Sequence, residues 1–369
     1  MLRHAAILVA ATALFLPGTT APAGQQIRQG FDLRVPLAPI AVRVAGRQRL
    51  VYELHLWNLA TRPLALERLE IFADDAPVAA LGHDELAKRA RSPLDAPRSE
   101  VPPGEHAILY LEIDRDRAAP AKLRHRLTYK EAGIRQIVEG GAVRSLTGQL
   151  PTLGPPLRGG PWVAIYEPSL DRGHRRVFYA VDGQARIPGR FAIDWMRAPD
   201  PGGTTGDGGG AGAEVLAVAD GVVATVRNDV PDPVPGKPRP AAGIGDAAGN
   251  YVSLDIGGGR FAFYEHLAKG VRVRPGQRVR RGAVIAQLGA TGQADTPHLH
   301  FHLADRDSPL GAEGMPYLLR GWHQIGAYRS IQAFGTEPWV AAQSIRATAA
   351  FPAPNLVVRF DDRDALTHR

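Results

Sequence analysis

The chain of 369 residues contains no cysteine. Disulfides, thiolate metal sites and lipid attachment through an N-terminal cysteine are therefore excluded, and any metal must be held by histidine and carboxylate. Aromatic residues are sparse at 7%, and no motif combining them with basic residues offers a stacking platform for nucleic-acid bases. Long apolar runs are equally scarce. The run at residues 5–16 follows the basic start Met1-Leu2-Arg3-His4, is too short to span a bilayer, and is followed by the small-x-small site Ala21-Pro22-Ala23. Residues 1–23 are expected to be a signal peptide, with an uncleaved anchor as the alternative. The remainder is expected to be soluble and exported, to the periplasm or beyond, without stable membrane insertion.

Turn formers are plentiful. Gly 41 and Pro 31 favour short strands over long helices. A hydrophobic share of 44% and a charged share of 22% are those of a globular protein long enough for two or three domains. The net charge of +7 suits attraction to anionic wall or membrane polymers, and export argues against a nucleic-acid partner.

Period-two patterning dominates residues 24–150. Leu50, Tyr52, Leu54 and Leu56 alternate with Val51, Glu53, His55 and Trp57; residues 107–113 and 123–129 repeat the pattern. About seven such strands, with a turn at Val101-Pro102-Pro103-Gly104 and a short helix near residues 84–91, predict an immunoglobulin-like β-sandwich. His55, His83, His106 and His125 are scattered over it and are expected at surfaces or strand edges. The Pro/Gly-rich residues 151–161 read as a linker. A second β-rich domain is expected over 162–305, interrupted by loops at 198–213 and 230–249. Residues 306–369 are expected to pack on it as a C-terminal extension.

The most informative segment is Thr296-Pro297-His298-Leu299-His300-Phe301-His302-Leu303. On a strand, alternate side chains share a face, so three histidines line one side and Leu299, Phe301 and Leu303 the other. Imidazole is the commonest zinc ligand, and an i, i+2 pair can put one ring on a metal and the next beside the metal's water.

From about residue 172 to 303 the chain resembles the lysostaphin/LytM-type zinc metallopeptidases, which cut peptides in bacterial cell walls. Ile193-Asp194 is similar to the end of that family's His-x-x-x-Asp motif, Tyr264-Glu265-His266-Leu267 to its Tyr-x-His-Leu motif, and His298-Leu299-His300-Phe301 closes the set in the same order. The resemblance implies a β-rich lysostaphin-type (duplicated hybrid motif) fold, a Zn2+ cofactor and a peptidoglycan peptide substrate. It implies Asp194 and His300 as metal ligands and His266 and His298 as catalytic groups, His298 holding or deprotonating the water and His266 donating to the oxyanion. Tyr264, expected on the same face as His266, is read as packing.

One departure bears on everything else. Four residues before Asp194, where the family has a zinc histidine, stands Arg190, which has no lone pair for a metal. Residues 172–194 read as a hairpin turning at Asp182-Gly183, which would bring His174 beside Asp194 as third ligand. Alternatively His302 contributes, or the metal is lost and the domain is a wall-binding or amidase-activating regulator. Arg190 is expected to pair with a substrate carboxylate or with Asp194. The sandwich would position the peptidase domain, or block its groove until a regulatory protein partner moves it.

Overall fold

A computed structural model describes residues 29–361, apart from 95, 116–121, 147, 167–172, 204–208, 235 and 238–241. The expected signal peptide lies outside the described residues. No helix among the described residues is long and apolar enough to cross a membrane.

The protein is mainly β. In its first part, one sheet runs Phe31–Arg34, Arg47–Asn58, His106–Arg115, Ala90–Arg91, with Ala41–Val44 also paired to Arg47–Asn58. A second runs Ile134–Arg144, Lys122–Glu131, Leu64–Ala73, Ala76–Gly82, with Glu100–Val101 also paired to Leu64–Ala73. The alternation seen in the sequence sends Leu50, Leu54, Leu109 and Leu111 from one sheet against Leu66, Leu69, Ile71 and Leu127 from the other. Each such leucine, fully buried, contributes about 2 kcal/mol of transfer free energy. The helix is His83–Arg89; its Asp84 and Glu85 sit in the first turn, Lys88 and Arg89 in the last, complementing the helix dipole, and Leu86 is buried.

His125 is not at a surface or an edge, as the sequence suggested for it. It is buried, donates from Nδ1 to the Gly141 carbonyl at 3.1 Å and accepts at Nε2 from the Tyr52 hydroxyl at 2.9 Å. Lying on the inward face of its strand, it could remain there only with both ring nitrogens satisfied.

The second part is built on an eleven-stranded sheet. Its order is Arg278–Val279, Gly221–Arg227, Asn250–Asp255, Phe261–Leu267, Leu299–Ala304, Ile193–Arg197, Gly159–Ile165, Leu356–Phe360, Trp322–Ala327, Val340–Ala347, with Gly314–Met315 also paired to Leu299–Ala304. Residues 151–161, expected as a linker, are packed instead. Thr152–Leu153 pairs in parallel with Leu318–Leu319, Gly159–Ile165 is an interior strand, and Leu153, Gly154, Pro155, Pro156 and Leu157 are buried. Leu356–Phe360, from the C-terminal extension, is likewise inside this sheet. Val42 and Val44 of the first part belong to the same hydrophobic cluster as Trp162, Phe191 and Phe351. Arg272, Arg274, Arg278 and Arg280 are exposed.

Candidate active site

Three adjacent strands of the large sheet set the site. Asp194 pairs with His300, and His300 pairs with Glu265, so the three side chains form one cross-strand row on one face. Leu299, Phe301 and Leu303 are fully buried on the opposite side. The alternation read from the sequence thus places His298, His300 and His302 along a groove that His174, Asp194, Glu265 and His266 also line.

The expected hairpin exists. Tyr179–Val181 pairs with Gln184–Arg186, and Asp182 (φ 52°) and Gly183 (φ 74°) make the left-handed turn between them. Ahead of it, His174 opens the 3-10 turn His174–Arg176, and its ring reaches Asp194. His174 Nε2 donates to Asp194 Oδ2 at 2.9 Å, and His300 Nδ1 donates to Asp194 Oδ1 at 2.8 Å. The two rings meet edge to face with centroids 4.7 Å apart. The donor atoms of His174, Asp194 and His300 all lie within 4.8 Å of one another.

Burial alone would raise the Asp194 carboxyl, but the imidazoles of His174 and His298 outweigh it and hold the acid well below its ordinary range. Burial pulls His174 down, toward the neutral ring, but Asp194 beside it outweighs the burial and raises it. His300 is lowered, chiefly by burial.

His266 and His298 face each other across the groove with ring centroids 4.7 Å apart. Each is oriented by a backbone carbonyl: His266 Nδ1 donates to Thr291 at 2.9 Å, His298 Nδ1 to Thr296 at 2.8 Å. In both rings Nε2 is the nitrogen left over, and that of His298 lies 3.5 Å from Asp194 Oδ1. Thr291 is itself fixed, because Gly249 and Gly292, both at positive φ, let two loops touch backbone to backbone. A Cβ on Gly249 would stand 2.4 Å from the Thr291 carbonyl carbon.

Tyr264 does not share a face with His266. It points into the core, where its hydroxyl accepts from the Val218 N–H at 2.8 Å, so its role is packing, as read. The cause is a bulge: His266 adopts φ 60° and its N–H donates to the Ala248 carbonyl, so Glu265 and His266 both reach the groove. Glu265 was not singled out from the sequence. Its burial, with Asp194 nearby, pushes its carboxyl up to about 8.

His302 is not part of the Asp194 group. It stacks on Phe263 (centroids 4.9 Å apart, planes 9° apart) and lies 3.6 Å from Glu265 Oε1, with which it and His300 form a second set of metal-capable atoms. Arg190 does not pair with Asp194 either. Its guanidinium is buried between Glu53, which Nη1 contacts, and Glu313 Oε1, at 3.0 Å from Nε and 2.8 Å from Nη2. The two carboxylates satisfy the fork and turn it away from the histidines.

Residues 208–311 match peptidase family M23. That stretch is similar to the family's peptidase domain. His266, His298 and His300 fall inside the matched stretch, whereas His174 and Asp194 precede it. Among known proteins, this chain is 33% identical to the peptidoglycan DD-endopeptidase ShyA of Vibrio cholerae over 150 residues, 39% of this chain and 30% of that one. It is 36% identical to the peptidoglycan DD-endopeptidase ShyB of the same organism over 101 residues, 27% of this chain and 20% of that one. The chain thus matches less than a third of the length of either relative. Among solved structures, the catalytic domain of the prophage-encoded M23 protein EnpA from Enterococcus faecalis is 18% identical, with 43% of this chain and 92% of that one covered and a TM-score of 0.27. A zinc containing peptidase from Vibrio cholerae is 15% identical, with 78% and 85% covered and a TM-score of 0.27.

Proposed function

We propose that this M23 protein is an exported zinc endopeptidase that hydrolyses peptide crosslinks of peptidoglycan. The observation that carries the reading is the convergence of His174 Nε2 and His300 Nδ1 on the two oxygens of Asp194. Two imidazoles and one carboxylate are a catalytic zinc donor set, leaving a fourth position for water or substrate. Both ring nitrogens here carry a proton that a dication would replace, so the residues present fit the metal. Zinc held by them supplies Lewis-acid polarisation of a carbonyl and acidifies a water toward neutral pH.

The remaining steps belong to the chain's own groups. His298, fixed by Thr296 through Nδ1, takes the proton of the attacking water at Nε2 and can return it to the leaving amine. His266 is held neutral, its burial first and the neighbouring His298 and His300 next keeping it well below the usual histidine range. In that state its Nε2 accepts a hydrogen bond. Donation to an oxyanion, the role expected from the resemblance, requires that His266 first gain a proton. Val177, Tyr179, Met196 and Leu310 form apolar parts of the groove wall, suited to an extended peptide.

The test is zinc content and release of soluble fragments from purified cell-wall sacculi. One zinc per chain, with digestion lost on chelation or in Asp194→Ala, supports the proposal. A metal-free protein that binds sacculi without digesting them would replace it with the regulator reading.

A further inference from the structure

We infer that the β-sandwich seats the third metal ligand: Glu53 and the strand backbone at Tyr52 and Leu111 hold Arg175, and through Arg175 the turn that presents His174 to Asp194. The inference rests on the proposed reading of His174, Asp194 and His300 as the zinc site.

The turn His174–Arg176 is three residues long, closed by the Arg176 N–H donating to the Gly173 carbonyl at 2.7 Å. So short a 3-10 segment has little rigidity of its own. What holds it is the residue beside the ligand. Arg175 is buried, and its guanidinium points into the sandwich. Nε donates to Glu53 Oε1 at 2.7 Å, Nη2 to the carbonyls of Tyr52 at 2.6 Å and Leu111 at 2.9 Å, and Nη1 to Glu112 Oε1 at 3.4 Å. All four acceptors belong to the paired strands Arg47–Asn58 and His106–Arg115. A planar fork bonded on every nitrogen fixes direction as well as distance, which an ammonium could not do.

Glu53 serves two clients. Its other oxygen meets Arg190, which Glu313 holds from the far side. Arg190 belongs to the turn Pro188–Phe191, and Gly189 of that turn lies so close to His174 that a Cβ there would stand 2.9 Å from His174 Cβ. His174 is thereby clamped between a turn anchored through Arg190 and a sandwich strand anchored through Arg175. Where a histidine four residues before Asp194 would be placed by the turn that leads into Asp194's strand, His174 depends on a contact, Arg175 to Glu53, that spans 122 residues of chain. Glu53 and Arg175 are positioning residues: neither reaches the groove. The sandwich, on this account, completes the site when docked instead of occluding it.

The test uses the full chain stripped of metal. Zinc affinity is measured by competition with a chromophoric chelator, and cobalt(II) absorption reports the ligand field. Glu53→Gln and Arg175→Met are expected to bind zinc roughly tenfold or more weakly and to alter the cobalt spectrum, while still unfolding cooperatively. Because coupling is reciprocal, zinc added to the unsubstituted protein is expected to slow amide exchange in residues 51–54 and 110–112, far from any ligand in sequence. Folded variants that bind zinc as the parent does would overturn the inference while leaving the metallopeptidase reading intact. Should both variants fail to fold, unchanged exchange in those two strands on zinc addition overturns it equally. If the unsubstituted protein takes up no zinc, the metallopeptidase reading and the inference fall together.

Discussion

His174 and Asp194, 20 residues apart in the chain, lie 2.9 Å apart in space, with the ring nitrogen donating to the carboxylate. Four residues before Asp194, where the resemblance implies a zinc histidine, stands Arg190, and its guanidinium is engaged by Glu53 and Glu313. The expected consequence is a loss of roughly tenfold or more in zinc affinity for His174→Ala, with the fold retained. His302→Asn, at the position paired with Phe263, is expected to keep zinc content near one per chain. The reverse ordering of the two variants would assign the third ligand to His302.

His298 makes no bond that the metal would replace; its Nδ1 is spent on Thr296. His298→Ala is therefore expected to retain zinc while kcat for crosslink hydrolysis falls by about 10²–10⁴-fold, the usual worth of a general base. Metal content and turnover measured on the same preparation separate this from a ligand, whose loss lowers both.

Gly189 has an ordinary backbone but no room for a side chain. A Cβ would meet both Cβ and the carbonyl oxygen of His174 at 2.9 Å. Gly189→Ala is expected to push the His174 turn away from Asp194, lowering zinc affinity with a modest loss of stability, about 1–3 kcal/mol of overpacking, read from denaturant midpoints. A substitution that destabilised the protein but left metal affinity unchanged would show that the turn yields in some other direction.

The sandwich carries its own acid sensitivity. Burial lowers His125 to about 4 from its ordinary 6.5. Between those values the unfolded chain binds a proton that the native ring refuses, so stability is full above pH 6.5 and declines as pH falls toward 4. The loss is on the order of 3 kcal/mol. Denaturant midpoints across that range are expected to show a weaker pH slope in His125→Gln than in the parent. Equal slopes would mean that the ring is already charged in the folded state.

Much of this could be read from the sequence, and the reasons differ by residue. Asp194, His266 and His300 stand in short motifs on strands, and His298 directly before one, where spacing in sequence maps closely onto spacing in space. His174 was reachable because a hairpin with an Asp-Gly turn folds back predictably. Glu265 was missed because strict alternation puts it on the opposite face from His266, and only the left-handed backbone at His266 breaks that alternation. The pairing of Glu53 with Arg175 and Arg190 could not be seen either. It depends on how two separately patterned sheets meet, and nothing local at Glu53 distinguishes it from a solvent-facing strand residue. Residues 151–161 misled for a related reason: proline and glycine mark an open connection only when nothing packs over them, and here the C-terminal strands do.

The histidine-bearing strand Leu299–Ala304 sits in the middle of the large sheet with leucine and phenylalanine on its reverse. Sliding it by a single residue against either neighbour would carry imidazoles into the hydrocarbon interior and deliver Leu299 and Phe301 to the groove. A chain that has closed its core correctly has, by the same act, aimed its metal-binding rings. Refolding yield and recoverable metal capacity should therefore rise in parallel.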